Sequence, residues 1–279
     1  MRKPEWLNKK IDFKKIAGTD NYMKDLGLHT VCHQARCPNI SECFHKSTAT
    51  FLILGDTCTR QCGFCSVAKG EPKPADETEP ERVLKAVKRM KLKYVVITSV
   101  TRDDMQDGGA GIFARTIRAI KKYDISIKVE VLVPDFKGDM DSVKTVTGAK
   151  PEIFGHNLEV VPSLYYIRKG AEYKRSLDVL SFARKEPNIL TKSGIMLGLG
   201  EKQEEVIKVF EDLRQAGCEF LSIGQYLRPA SQNHEVVEYI NPAKFEEYKA
   251  KALDMGFLHV ESGPYVRSSY NAGGYLVAE

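Results

Sequence analysis

TFLILGDTCTRQCGFCSV, residues 50 to 67, sets an apolar run directly before three cysteines, Cys58, Cys62 and Cys65, in C-x3-C-x2-C spacing. TFLILG is the first of six short apolar runs that alternate with amphipathic helical patterns, the signature of repeated βα units and a parallel sheet. In that architecture chemistry belongs at the C-terminal ends of strands, which is where the cysteine loop falls. Three thiolates so placed can hold three irons of a 4Fe-4S cubane. A cubane normally takes four cysteines, so one iron stays open to a small molecule that donates nitrogen and oxygen. The competing reading is a structural zinc site, which wants four closed ligands, commonly in C-x2-C pairs, and both ligand count and spacing argue against it.

Working outward, strands are expected at 50 to 55, 94 to 100, 127 to 133, 153 to 159, 194 to 200 and 220 to 227. Helices are expected around 79 to 91, 110 to 122, 139 to 148, 172 to 185, 203 to 216 and 242 to 255. Pro80 and Pro242 mark helix starts, and Gly217 and Gly256 mark stops. Right-handed crossovers curl six such units into an open barrel, two units short of a full eight. The expected fold class is α/β, a partial (β/α)6 TIM-like barrel over 48 to 258. An N-terminal extension, 1 to 47, and a C-terminal segment, 259 to 279, flank it. The former holds the single tryptophan, Trp6, and a sparse helical pattern through Phe13, Ile16 and Met23, read as a cover.

The chain has seven cysteines, and six of them lie between residues 32 and 65. Such clustering, in a chain read as intracellular and cytoplasmic, favours metal or redox chemistry over disulfides. Cys32, Cys37 and Cys43 form a second loop in C-x4-C-x5-C spacing, with Pro38 and Asn39 breaking any helix. This loop suits a second cubane whose last ligand comes from elsewhere. His33 and His45 flank it, as ligands or as hydrogen-bonding neighbours. Cys218 reads as a small packing residue. A charge of +5 from 42 basic and 37 acidic residues, spread without a polybasic block, gives no case for nucleic acid. It allows an acidic protein partner. No run is long or apolar enough for a membrane span, and MRKPEWLNKK has no apolar stretch behind it to make a signal.

The expected strand exits are polar. TSVTRDD carries Thr98, Ser99, Arg102, Asp103 and Asp104, the third strand passes through Glu130, and the fourth carries His156, Asn157 and Glu159. Polar groups inside apolar runs are costly unless paired, so these form a buried network, cap helices, or receive a polar cofactor. GIMLGLGE, 194 to 201, allows close backbone approach with Glu201 beyond it, but lacks the dinucleotide fingerprint. GQYLRP, 224 to 229, puts Gln225, Tyr226 and Arg228 at the last exit, Arg228 holding a carboxylate or lying at the surface.

TVCHQARCPNISEC, ATFLILGDTCTRQCGFC, VVITSVTRDD, HNLE, KSGIMLGLGE, GQYLRP and VRSSYNA, in that order, resemble the lipoyl synthase family of radical S-adenosylmethionine enzymes over nearly the whole chain. The resemblance implies a sulfurtransferase that inserts sulfur at carbons 6 and 8 of an octanoyl chain on a lysine of a lipoyl carrier domain. It implies two 4Fe-4S clusters and two S-adenosylmethionine molecules consumed per product. Cys58, Cys62 and Cys65 would hold the cluster that cleaves the cofactor, and Cys32, Cys37, Cys43 and Ser269 the auxiliary cluster that gives up sulfur. Thr98, Ser99 and Asp103 would lie near the methionine end of the cofactor, with Glu130 and Asn157 near its ribose, and Arg267 would orient the Ser269 oxygen. Implied partners are octanoylated 2-oxoacid dehydrogenase subunits and the glycine cleavage H protein, a ferredoxin- or flavodoxin-type reductant, and a carrier that rebuilds the spent cluster. The sequence departs from the family at Phe44, Thr101 and Gly155, none of them a cluster ligand.

Overall fold

The structure, a computed structural model, describes residues 2–9, 21–45 and 50–274 of the chain. Phe13 and Ile16 of the expected cover, and the expected boundary at residue 47, lie outside them. Two compact units are present, a leading one of Lys9–Arg60 and Ser66–Ile153 and a trailing one of Met1–Asn8, Gln61–Cys65 and Phe154–Glu279.

In the leading unit, β1 (His29–Thr30) is followed by α1 (Val31–Gln34), α2 (Ile40–His45), β2 (Thr50–Ile53), β3 (Thr57–Cys58) and β4 (Ala68–Lys69). Then come α3 (Glu79–Met90), β5 (Tyr94–Ser99), α4 (Ala110–Tyr123), β6 (Lys128–Leu132) and α5 (Met140–Thr147). Strands β2, β5 and β6 are parallel neighbours, with Thr50 opposite Val96 and Tyr94 opposite Lys128, and β1 runs antiparallel along β2. Val95, Val96 and Ile97 are all buried, the continuous apolar run of a strand covered on both faces. Helix α3 buries Val83, Ala86 and Val87 at helical spacing. Its start carries Pro80 with Glu79 and Glu81, and Lys88 and Arg89 close its last turn, each charge matching the helix dipole.

The trailing unit begins within β7 (Ile153–Gly155) and continues through α6 (Tyr173–Ala183), β8 (Leu190–Leu197), α7 (Gln203–Gln215), β9 (Phe220–Gln225), α8 (Pro242–Asp254) and β10 (His259–Gly263). Strands β8, β9 and β10 are parallel neighbours in that order. Its core gathers Leu180, Val209, Phe210, Leu213, Phe245 and Phe257, with Tyr248 and Phe257 edge-on to the Phe210 ring. Cys218 is fully buried there, as its packing role requires.

All six expected helices are present within two residues of their expected limits. Beyond the short strands β1, β3 and β4, which the pattern does not mark, the strands differ in three places. β8 starts at Leu190, not 194, because Thr191, Lys192 and Ser193 are polar yet buried and only pairing with β9 reveals them as strand. β7 stops at Gly155, and the chain beyond it turns through Glu159, whose φ of 68° is left-handed. β10, within the expected C-terminal segment, adds a parallel strand to β9. Its only buried residue is Val260, so the neighbouring strand edge defines it more than its own pattern does.

Candidate functional site

The cysteine loop is divided between the units, and each part is anchored in its own. On the leading side, β2 leaves the sheet through Leu54 and Gly55, both at positive φ. The Leu54 N–H donates to Glu79 Oε2 at 2.7 Å, and its carbonyl accepts from Arg102 Nη1 at 3.3 Å. A left-handed leucine persists only where its surroundings over-determine it, and such strain gathers at functional sites. Cys58 Sγ, half-buried, accepts from the backbone N–H groups of Arg60 and Thr101, each at 3.4 Å. Two backbone N–H groups fix this sulfur in place at the strand exit, so Cys58 fits the group the sequence implies. The Thr101 departure costs nothing here, because its backbone makes the contact.

Arg60, inside the loop, is 7% exposed. Its guanidinium donates to both oxygens of Asp103, at 2.8 and 3.0 Å, and to Asp135 at 2.6 Å. Burial works against its charge, but the hydrogen bonds and fields of Asp103 and Asp135 outweigh that and raise its pKa. Asp103, expected near the cofactor, holds Arg60 with both of its oxygens. Asp135 and Arg60 carried no signal in the sequence beyond their polarity.

On the trailing side, Phe64 packs against Val160, Ile167, Leu199 and Tyr226. The Gly63 N–H donates to the Ile167 carbonyl at 2.7 Å, and a Cβ on Gly63 would stand 3.1 Å from Ile167 Cγ2. The sequence reading passed over Gly63, although a glycine between two spaced cysteines signals such an approach. None of the seven cysteines is in a disulfide. Among the described residues, no three histidine, cysteine or carboxylate side chains gather as ligands of one metal ion.

The strand-exit residues divide in the same way. In the leading unit Thr98 Oγ1 donates to the Leu132 carbonyl at 2.8 Å, stitching β5 to β6. Ser99 Oγ is buried without a hydrogen-bond partner, the condition of a group waiting for a ligand. Glu130, 2% exposed, accepts from Tyr94 Oη at 2.5 Å. In the trailing unit Asn157 Nδ2 donates to Glu159 Oε1 at 3.0 Å and to Ser268 Oγ. Burial raises the Glu159 carboxyl, and the Arg168 charge and the Asn157 bond only partly oppose it. Gly194 makes room for that asparagine, since a Cβ there would meet Asn157 Oδ1 at 3.1 Å. His156 faces Ser176 at 3.0 Å in a network with Tyr165 and Arg168, so it is a satisfied buried histidine.

Three residues flagged in the sequence prove to be backbone clamps. Glu201 accepts from the N–H groups of Gly198 and Leu199 at 2.6 and 2.9 Å. Gln225 Nε2 donates to the carbonyls of Leu197, Tyr226 and Glu238, while its Oε1 accepts from Ile240. Arg228 Nε donates to the Asn233 carbonyl at 2.9 Å, and Nη1 pairs with Glu235 at 3.3 Å.

The second cysteine loop lies in the leading unit. Cys37 N–H donates to the Cys32 carbonyl and Cys43 N–H to the Asn39 carbonyl, at 3.0 and 2.9 Å. Cys32 is 6% exposed, and burial pushes its thiol up to about 12. Cys37 and Cys43 add to that rise, so the Cys32 thiol lies within the field of the other two. Ser269, in the trailing unit, sits half-buried in the turn closed by the Tyr270 N–H on the Arg267 carbonyl at 2.8 Å. Arg267 Nη1 donates to the Val266 carbonyl at 2.6 Å, bracing its own turn. β9 admits that turn at Gly224, where a Cβ would lie 2.2 Å from the Val266 oxygen.

A family model for the Radical SAM superfamily matches residues 52–213. The chain is 55% identical over 276 residues to a lipoyl synthase of Geobacter metallireducens, covering 99% of this chain and 98% of that one. Among solved structures it is similar to SuiB of Streptococcus suis bound to precursor peptide SuiA, with TM-score 0.59, 14% identity, and 76% and 48% of the two chains covered. It is also similar to methylornithine synthase (PylB), with TM-score 0.50, 13% identity and 89% and 84% covered. At such low identity the solved structures speak for the fold alone. That fold is the expected one, α/β with the mainly parallel sheet of radical SAM partial barrels.

Proposed function

The chain belongs to the lipoyl synthase family of the radical SAM superfamily, and on that premise we propose that it inserts sulfur at carbons 6 and 8 of an octanoyl chain on a lysine of a lipoyl carrier domain. Membership implies a 4Fe-4S cluster and S-adenosylmethionine, and the sulfur comes from an auxiliary 4Fe-4S cluster. The observation that carries this reading is Cys58 Sγ, held by two backbone N–H groups beside a strand exit where Ser99 Oγ is buried without a partner. A sulfur held by the backbone and a waiting hydroxyl are what a three-cysteine cluster with a chelated polar cofactor needs.

When bound, S-adenosylmethionine reduced at the cluster supplies the 5′-deoxyadenosyl radical that takes hydrogen from the octanoyl chain, one cofactor for each sulfur. Cys58, Cys62 and Cys65 would hold the cluster that binds the cofactor. Ser99 offers its hydroxyl to the methionine end, with Thr98 alongside. Glu130 and Asn157 would serve the ribose end, Asn157 being held by Glu159 and Ser268. Asp103 acts at one remove, by holding Arg60. Cys32, Cys37, Cys43 and Ser269 would hold the auxiliary cluster, the serine oxygen being a harder ligand to iron than the three thiolates.

Octanoylated 2-oxoacid dehydrogenase subunits and the glycine cleavage H protein are the substrates in this reading. A ferredoxin or flavodoxin supplies electrons, an iron-sulfur carrier rebuilds the spent cluster, and the reducing cytoplasm is the compartment that keeps seven thiols open. Among the described residues no helix is long and apolar enough to cross a membrane. Incubating the anaerobically reconstituted chain with an octanoyl-lysine peptide, S-adenosylmethionine and dithionite tests the function. The expected product has gained two sulfurs by mass, and a peptide that gains none overturns the proposal.

A further inference from the structure

The turn between Cys62 and Cys65 is gripped by a residue far along the chain that the cysteine spacing gives no hint of. Asn233 Nδ2 donates to two carbonyls of this turn, Gly63 at 3.1 Å and Cys65 at 2.9 Å. The His234 N–H adds a third bond, to the Gly63 carbonyl at 2.9 Å. The segment delivering these donors is itself stapled. Arg228 donates to the carbonyls of Asn233 and Ser231, Tyr226 Oη to that of His234 at 2.8 Å, and the Asn233 N–H to that of Ala230 at 3.0 Å. Asn233 is 5% exposed, and its Oδ1 is buried with no partner. Burying an amide oxygen unsatisfied is costly, so the position is tolerated for what the other end of the amide does. A cavity of about 550 Å³ opens beside the turn, lined by Gly63, Ile167 and Lys169 and by Asn233 and His234 of the clamping segment.

We propose that Asn233 is a positioning residue for the cluster, fixing the Gly63 and Cys65 carbonyls so that the Cys62 and Cys65 thiols are arranged for iron before iron arrives. The inference rests on the reading of Cys58, Cys62 and Cys65 as cluster ligands and adds the device that presents two of them. Asparagine suits the task because one –NH2 reaches two oxygens, whereas the isosteric aspartate would set an oxygen against both.

The test is Asn233→Asp, read in two ways on the full chain. In the iron-free protein, alkylation by iodoacetamide is followed cysteine by cysteine through peptide masses. Cys65 is expected to react about fivefold faster or more, the factor set by one net hydrogen bond of about 1 kcal/mol. Cys218, fully buried in the core of the same unit, is expected to be unchanged. In the reconstituted protein, the change that S-adenosylmethionine induces in the electron paramagnetic resonance of the reduced cluster is expected to weaken. Unchanged Cys65 labelling overturns the proposal, as does a parallel rise at Cys65 and Cys218, which marks general loosening. If wild-type protein shows no response to S-adenosylmethionine, the cluster reading itself falls and the purpose given to Asn233 with it, while the labelling contrast still decides whether the clamp exists.

Discussion

Replacing Arg60 by methionine keeps the carbon stem and deletes the charge that two aspartates share. The side chains of Arg60 and Asp135 are 5% and 0% exposed, so Arg60→Met leaves a carboxylate buried without its guanidinium. Removing one partner of such a pair costs about 3–5 kcal/mol. Asp103 adds little to that figure, because its side chain is 23% exposed and water screens it. At about 2–4 °C per kcal/mol, the midpoint falls by roughly 6–20 °C. The assay is thermal unfolding of the iron-free chain, for Arg60→Met and for the double variant Arg60→Met, Asp135→Leu. Because swapping a whole buried pair for apolar groups is often neutral, the double variant is expected to recover most of the loss. A single variant that melts within about 1 °C of wild type, or a double variant worse than the single, refutes the reasoning.

Burial raises the Glu79 carboxyl above its ordinary 4.5, the Leu54 N–H only partly opposing it, so the folded chain holds that proton more tightly than the unfolded chain does. Stability is therefore lost as pH rises from 4.5 through the raised value. Glu79→Gln keeps an acceptor for Leu54 and is expected to remove that part of the decline, seen as a wild-type-minus-variant melting difference that changes with pH. Gly224→Ala forces the Val266 carbonyl away from β9, at a cost of about 1–3 kcal/mol or more, and is expected to lower iron content by displacing the segment that carries Ser269. Cys58→Ala is expected to retain roughly four irons per chain, measured by colorimetric iron assay, while losing all cleavage of S-adenosylmethionine to 5′-deoxyadenosine.

The helices were legible because each combines a buried stripe at helical spacing with a marked end, as α3 does with Pro80, Val83 and Val87. Strands such as β5 were legible because both faces are buried and the sequence runs apolar without a break. β8 hid its first four residues because Lys192 and Ser193 are polar and buried, a combination periodicity reads as loop. β10 hid because a strand added at a sheet edge is specified by the neighbour's open hydrogen bonds. At the site, the thiol spacing announced itself, being rare and chemically specific. The supports did not, since Arg60, Asp135 and Asn233 act through pairings separated by 75 and 168 residues. Asp103 shows the same limit from the other side. Its position at a strand exit was visible, but the arginine that occupies it was not.

Two cubanes held by cysteine triplets are tested most directly by anaerobic iron and acid-labile sulfide analysis of the reconstituted full chain. Roughly eight irons and eight sulfides per chain are expected, falling to roughly four of each when Cys32, Cys37 and Cys43 are replaced by alanine. A colourless protein that holds a single zinc and no labile sulfide, or one that stops at about four irons with all six cysteines intact, contradicts it.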